Sequence, residues 1–138
     1  MPALAPITIA GLADKTGIDV ETIRNYERMG LIEKPRRGPG GYLLYRGEDV
    51  DILTFIRRAT SLGFGLHAVR ELLEISTPRA GANCSAIYEI AMRQLAEIRL
   101  RIDELGRMEK ALSELASNCP RDAALTECNI LNVLVQPA

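Results

Sequence analysis

The segment DVETIRNYERMGLIEKPRRGPGGYLLYRGEDV, residues 19–50, decides how the rest of the chain is read. Asp19 suits a helix N-cap; after it Val20 and Ile23 fall on one face, and Arg24, Asn25 and Arg28 on the other. Just upstream, Ile9, Leu12 and Ala13 form an apolar stripe that ends at Thr16-Gly17. Two short helices joined by a glycine-containing turn read as a helix-turn-helix, whose second helix enters a DNA major groove. Downstream, Pro35, Gly38, Pro39, Gly40 and Gly41 exclude a helix, and Tyr42 to Tyr45 has strand character. A basic, glycine-rich hairpin beside a helix-turn-helix has the composition of a DNA-binding wing.

Charge agrees locally. Between Val20 and Arg46 stand six basic residues (Arg24, Arg28, Lys34, Arg36, Arg37, Arg46) against three acidic ones (Glu21, Glu27, Glu33), although the 138-residue chain carries a net charge of only −1. A local positive patch can bind phosphate while the whole remains near neutral. The chain is 47% hydrophobic and 25% charged, as expected of a globular protein, and six aromatic residues imply a mainly aliphatic core. No apolar run approaches the ~20 residues of a membrane span, and MPALAPITIA lacks the pattern of a signal peptide. Three cysteines, an odd number without an export signal, predict reduced thiols and a cytoplasmic location.

Past the wing, Asp49 to Leu62 is predicted helical, with Val50, Leu53, Ile56 and Ala59/Thr60 along one side. Leu62-Gly63-Phe64-Gly65 breaks it, and Leu66 to Ile75 forms another helix on Leu66, Val69, Leu72 and Leu73. Ser76-Thr77-Pro78 and Gly81 mark a boundary. From Ser85 to about Asn118 the apolar residues Ala91, Leu95, Ile98, Ile102, Leu105, Met108, Leu112 and Leu115 step by three or four, a coiled-coil-like seam. With little of its own chain to pack on, this helix is expected to pair with its copy in a homodimer. The expected domains are therefore residues 1–76 (winged helix-turn-helix), 77–84 (linker), 85–118 (dimerisation helix) and 119–138 (metal-binding loop and tail). The fold class is mainly α: a winged helix-turn-helix DNA-binding domain, a long antiparallel coiled-coil helix, and a short C-terminal loop/helix.

The thiols give that last segment its role. Cys84 and Cys119 are 35 residues apart (119 − 84) and flank a helix about 50 Å long, so they cannot meet within one chain. In an antiparallel pair the start of one helix lies beside the end of the other. Cys84 of one protomer then comes near Cys119 of its partner, and the loop after Pro120 can bring in Cys128. Three thiolates make a soft, anionic cluster. It suits three-coordinate Hg(II), then Pb(II); Cd(II) and Zn(II) would need a further donor, and His67, the sole histidine, is poorly placed to be one. Three inert buried cysteines are the plainer alternative.

ETIRNYERMGLI (21–32), GGYLLYRGEDV (40–50) and IRRATSLGFGLHAVRELL (56–73) resemble the DNA-binding domain of MerR-family transcription regulators. The long helix and the cysteine intervals of 35 and 9 (128 − 119) resemble that family's divalent-metal sensors, so the likeness covers nearly the whole chain. It implies a homodimer on double-stranded promoter DNA that represses without metal. With metal bound, the dimer activates by distorting the DNA so that RNA polymerase engages both promoter elements. Carried over by position, Thr22, Arg24 and Tyr26 on the recognition helix and Arg37 and Tyr42 in the wing should contact DNA. Asn25, Arg28 and Arg36 are added as candidates. The family usually has arginine where this chain has Leu43 and an aromatic residue where it has Asn25. Arg36, Arg37 or Arg46 could replace the missing wing cation, and asparagine can pair with adenine. On the metal the residues divide: RMEKALSEL (107–115) resembles the mercury branch, and CysAsnIleLeu (128–131) the lead, cadmium and zinc branch. A thiol redox or electrophile sensor on the same scaffold is the other reading. An enzyme is not expected, since His67 is remote in sequence from every cysteine and no phosphate-binding loop or catalytic carboxylate pair is present.

Overall fold

The computed structural model describes residues 6–76 and 83–137. The chain divides into two compact units, Met1–Ile90 and Ala91–Ala138. Most of the linker expected at 77–84 lies outside the described residues.

In the first unit, helix α1 (Ile9–Thr16) begins where the Thr8 hydroxyl accepts the Gly11 N–H, and ends at Gly17. Gly17 has φ +72°, a left-handed conformation that side chains with a Cβ resist. A Cβ there would also stand 2.7 Å from the Arg57 guanidinium, which donates to the Thr16 carbonyl at the end of α1 (2.8 Å). Helix α2 (Val20–Arg28) starts as expected on Asp19, whose carboxylate accepts the Thr22 N–H at 2.8 Å. That bond to the Thr22 backbone holds the Asp19 carboxyl below its usual pKa. The exit of α2 is tied down by the Arg70 guanidinium, which donates to the Met29 carbonyl. Two arginines from later helices therefore satisfy carbonyls that helix ends leave unpaired.

The wing is a two-stranded antiparallel sheet, β1 (Arg36–Arg37) on β2 (Leu43–Leu44), with Arg36 opposite Leu44 and Arg37 opposite Leu43. Its tip, Pro39–Gly41, forms a single 3-10 turn where no helix was expected. Gly40 and Gly41 both lie at positive φ, which confines the turn to one revolution. At its base the Tyr45 backbone pairs with Ile7 in both directions (3.1 and 2.7 Å), closing the N-terminal segment onto the wing.

Helix α3 (Gly47–Ser61) begins two residues earlier than the sequence suggested. Asp49, expected as the first helical residue, sits at the third helical position and reaches back to accept the Arg46 N–H at 2.8 Å. Helix α4 (Leu66–Ile75) has the predicted bounds. Leu12, Ile23, Leu31, Ile32, Tyr45, Leu53, Ile56, Ala59 and Val69 form one core, which is why the exposed faces of α2 and the wing are held in place.

Helix α5 (Ser85–Ser117) is unbroken over 33 residues. In the second unit it is followed by a 3-10 turn at Leu125–Glu127 and helix α6 (Asn129–Val135). The Asn129 side-chain amide donates to the Leu115 carbonyl at 2.9 Å, so the chain returns from residue 129 to the last turn of α5.

Candidate nucleic-acid interface and metal site

The first unit presents its cations outward. On α2, Arg24, Asn25 and Arg28 are exposed, while Thr22 is half-buried with its N–H spent on Asp19. Tyr26 is half-buried and packs against the core. Arg28 lies 3.3 Å from Glu21, but both are largely exposed and the pair is easily exchanged for a phosphate. In the wing, Arg36 and Arg37 are exposed and Tyr42 is 70% exposed at the tip. Arg37 donates to the Gly41 carbonyl at 3.2 Å, which steadies its guanidinium against the turn. Arg46 is engaged otherwise, 2.8 Å from Glu33 and 3.7 Å from Glu48.

Sequence reasoning missed what joins helix to wing. Tyr45 is 2% exposed, and its hydroxyl donates to Glu27 of α2 at 3.0 Å. Burial first, and then this bond to a carboxylate, push the phenol up to about 12. The strand character of Tyr42 to Tyr45 did not single out Tyr45, and a partner 18 residues away leaves no local trace.

The thiols lie at the two ends of α5. Cys84 is exposed, immediately before the helix; Cys119, two residues after its end, and Cys128 are half-buried. Cys128 caps α6, its Sγ accepting the Leu131 N–H at 3.4 Å. All three are free thiols. Among the described residues no three His, Cys, Asp or Glu side chains gather where one chain alone could hold an ion. His67 is almost fully exposed and 3.6 Å from Glu71. The donors on offer at the two ends of α5 are sulfurs, a ligand type that suits soft, thiophilic ions.

Between these ends the predicted seam of α5 is open to solvent: Ile102, Leu105, Met108 and Leu112 are each 61–63% exposed. Four large apolar side chains in a row on one helix face are a surface that normally meets a partner. No helix among the described residues is long and apolar enough to cross a membrane.

Comparison with known proteins agrees with this geometry. Residues 7–75 match the family described as MerR HTH family regulatory protein, and residues 50–115 match the one described as MerR, DNA binding. The mercuric resistance operon regulatory protein of Bacillus cereus is 39% identical over 128 residues, 93% of this chain and 96% of that protein. Among solved structures, the transcription regulator PbrR691 of Ralstonia metallidurans CH34 in complex with lead(II) superposes with a TM-score of 0.79 at 31% identity, covering 93% of this chain and 98% of that one. The dual function transcriptional regulator MerR of Bacillus megaterium MB1 in complex with mercury(II) gives a TM-score of 0.67 at 34% identity, covering 90% and 95%. The chain belongs to the MerR family of helix-turn-helix regulatory proteins, which are DNA-binding transcription regulators and not enzymes.

Proposed function

We propose that this chain is a metal-responsive regulator acting as an antiparallel homodimer. Cys84 of one protomer and Cys119 and Cys128 of its partner bind one soft ion, most favourably Hg(II), at each end of the dimer. Without the ion the dimer represses its promoter; with it, the dimer distorts the DNA so that RNA polymerase can start. The observation that carries this reading is the exposed apolar seam of α5 with free thiols at both of its ends. Pairing the seams in opposite directions buries the apolar row and brings the thiols of two chains together. The mercury-bound Bacillus megaterium structure and the Bacillus cereus mercuric resistance regulator support Hg(II). The lead-bound Ralstonia structure keeps Pb(II) next. Cd(II) and Zn(II) follow, because each would need a donor beyond the three sulfurs.

On the DNA side, Thr22, Arg24, Asn25, Tyr26 and Arg28 of α2 and Arg36, Arg37 and Tyr42 of the wing make the contacts. Most are to phosphate, and Asn25 is the candidate for reading a base. Bending a site of this kind costs on the order of 1–6 kcal/mol. The ion needs only to favour one dimer geometry over the other by a comparable amount.

Anaerobic competition among Hg(II), Pb(II), Cd(II) and Zn(II), with promoter output measured in parallel, tests the reading. Hg(II) should displace the others, and Cys84→Ser should abolish both three-thiolate absorption and induction. Normal induction of the Cys84→Ser protein would overturn it.

A further inference from the structure

This inference rests on the metal reading above and concerns a residue that is not itself a ligand. We infer that Asn129 is a positioning residue for the thiol cluster, its side-chain amide clasping Cys128 to the end of α5.

The last turn of α5 explains why a clasp is needed there. In an unbroken helix the N–H of residue 119 would go to the carbonyl of Leu115. Here the Cys119 N–H turns instead to Ala116 (3.2 Å), as the chain leaves the helix before Pro120. The Leu115 carbonyl is left without its usual donor. Asn129 supplies one from 14 residues away, at 2.9 Å. The turn that swings Cys119 out of the helix thus creates the acceptor that holds the residue next to Cys128.

The orientation of the amide is fixed. Its Oδ1 is buried and has no donor among the described residues, and flipping the amide would only set that oxygen against the Leu115 carbonyl. One good bond and one unmade bond are therefore held on the same side chain. An apolar residue here would remove the unmade bond but would leave the Leu115 carbonyl without a donor. The neighbouring backbone transmits the restraint to the sulfur. Cys128 Sγ accepts from Leu131, and the Cys128 carbonyl accepts the Asn132 N–H at 2.9 Å. With Asn129 released, the first turn of α6 and the Cys128 thiol move together away from Leu115.

The test uses full-length, metal-free dimers of the wild type, Asn129→Ala and Asn129→Leu. The leucine nearly keeps the size of the side chain, lacks the amide donor and adds no charge beside the Cys128 thiol, which guards against an alanine variant that folds poorly. Alkylation by iodoacetamide is followed at each cysteine by peptide mass. Cys128 should react at least about fivefold faster in both variants, as loss of one hydrogen bond allows, while Cys84 keeps its rate. Hg(II) affinity should fall about 10–100-fold, the usual loss when a group supporting a ligand is removed, with unchanged stoichiometry at saturation. Wild-type alkylation rates at Cys128 in both variants would overturn the inference. So would faster alkylation with unaltered Hg(II) affinity, since the clasp would then not bear on the ion. If the wild type itself shows no three-thiolate absorption, the metal reading fails separately, and the alkylation rates still decide whether Asn129 holds Cys128.

Discussion

Tyr45 joins three parts of the DNA-binding unit: its backbone pairs with Ile7, its ring fills the core, and its hydroxyl bonds to Glu27 on the recognition helix. Its phenol loses a proton near pH 10 when unfolded and only at about 12 when folded. The unfolded chain therefore binds fewer protons than the native one between those values. The stabilisation is complete below about pH 10 and is lost as pH rises through 12. Urea denaturation from pH 7 to 11.5 should show Tyr45→Phe less stable than wild type by about 1 kcal/mol at pH 7, with the difference shrinking above pH 10. A constant gap across that range would argue against the bond. Arg24 is a different kind of residue, exposed and without an ion pair among the described groups. Arg24→Ala should weaken binding to any duplex by a similar factor and lower the slope of log K against log salt by about 1. Operator titrations at several salt concentrations measure this. A loss confined to one base position would mean that Arg24 reads sequence instead.

Elements whose burial follows a simple period could be read directly. Leu53, Ile56 and Ala59 in α3, and Val69 and Leu72 in α4, lie where a 3.6-residue repeat puts them, and all are buried. Thr16-Gly17 and Asp19 announced the turn between α1 and α2 because capping chemistry is local. What escaped reading depends on distant partners. Arg57 and Arg70 each reach back 41 residues to a helix end. Arg36–Arg37 became a strand only by pairing with Leu43–Leu44, since two arginines have no strand signature of their own. The C-terminal clasp is of the same sort: nothing around Asn129 names Leu115. The seam of α5 was legible and its exposure makes a prediction. Leu105→Asp would bury an unpaired carboxylate in the paired seam, costing about 3 kcal/mol or more and weakening the dimer roughly 100-fold. Sedimentation should show monomers at concentrations where the wild type is dimeric. If the variant stays dimeric, the seam is not the interface.

For the whole molecule, the family assignment fixes DNA binding and transcriptional control, and in the function proposed above the input enters through Cys84 before α5 and Cys119 and Cys128 after it. In that proposal neither protomer senses alone, because the ion is shared between protomers while each carries its own wing and recognition helix. Complementation between two defective chains examines that sharing most directly. A Cys84→Ser chain and a Cys119→Ser/Cys128→Ser chain are co-purified as a heterodimer under anaerobic conditions and titrated with Hg(II). Antiparallel pairing rebuilds one complete trio, so the heterodimer should bind one ion with three-thiolate absorption that neither parent homodimer shows. A heterodimer as silent as its parents would contradict a site built across two chains.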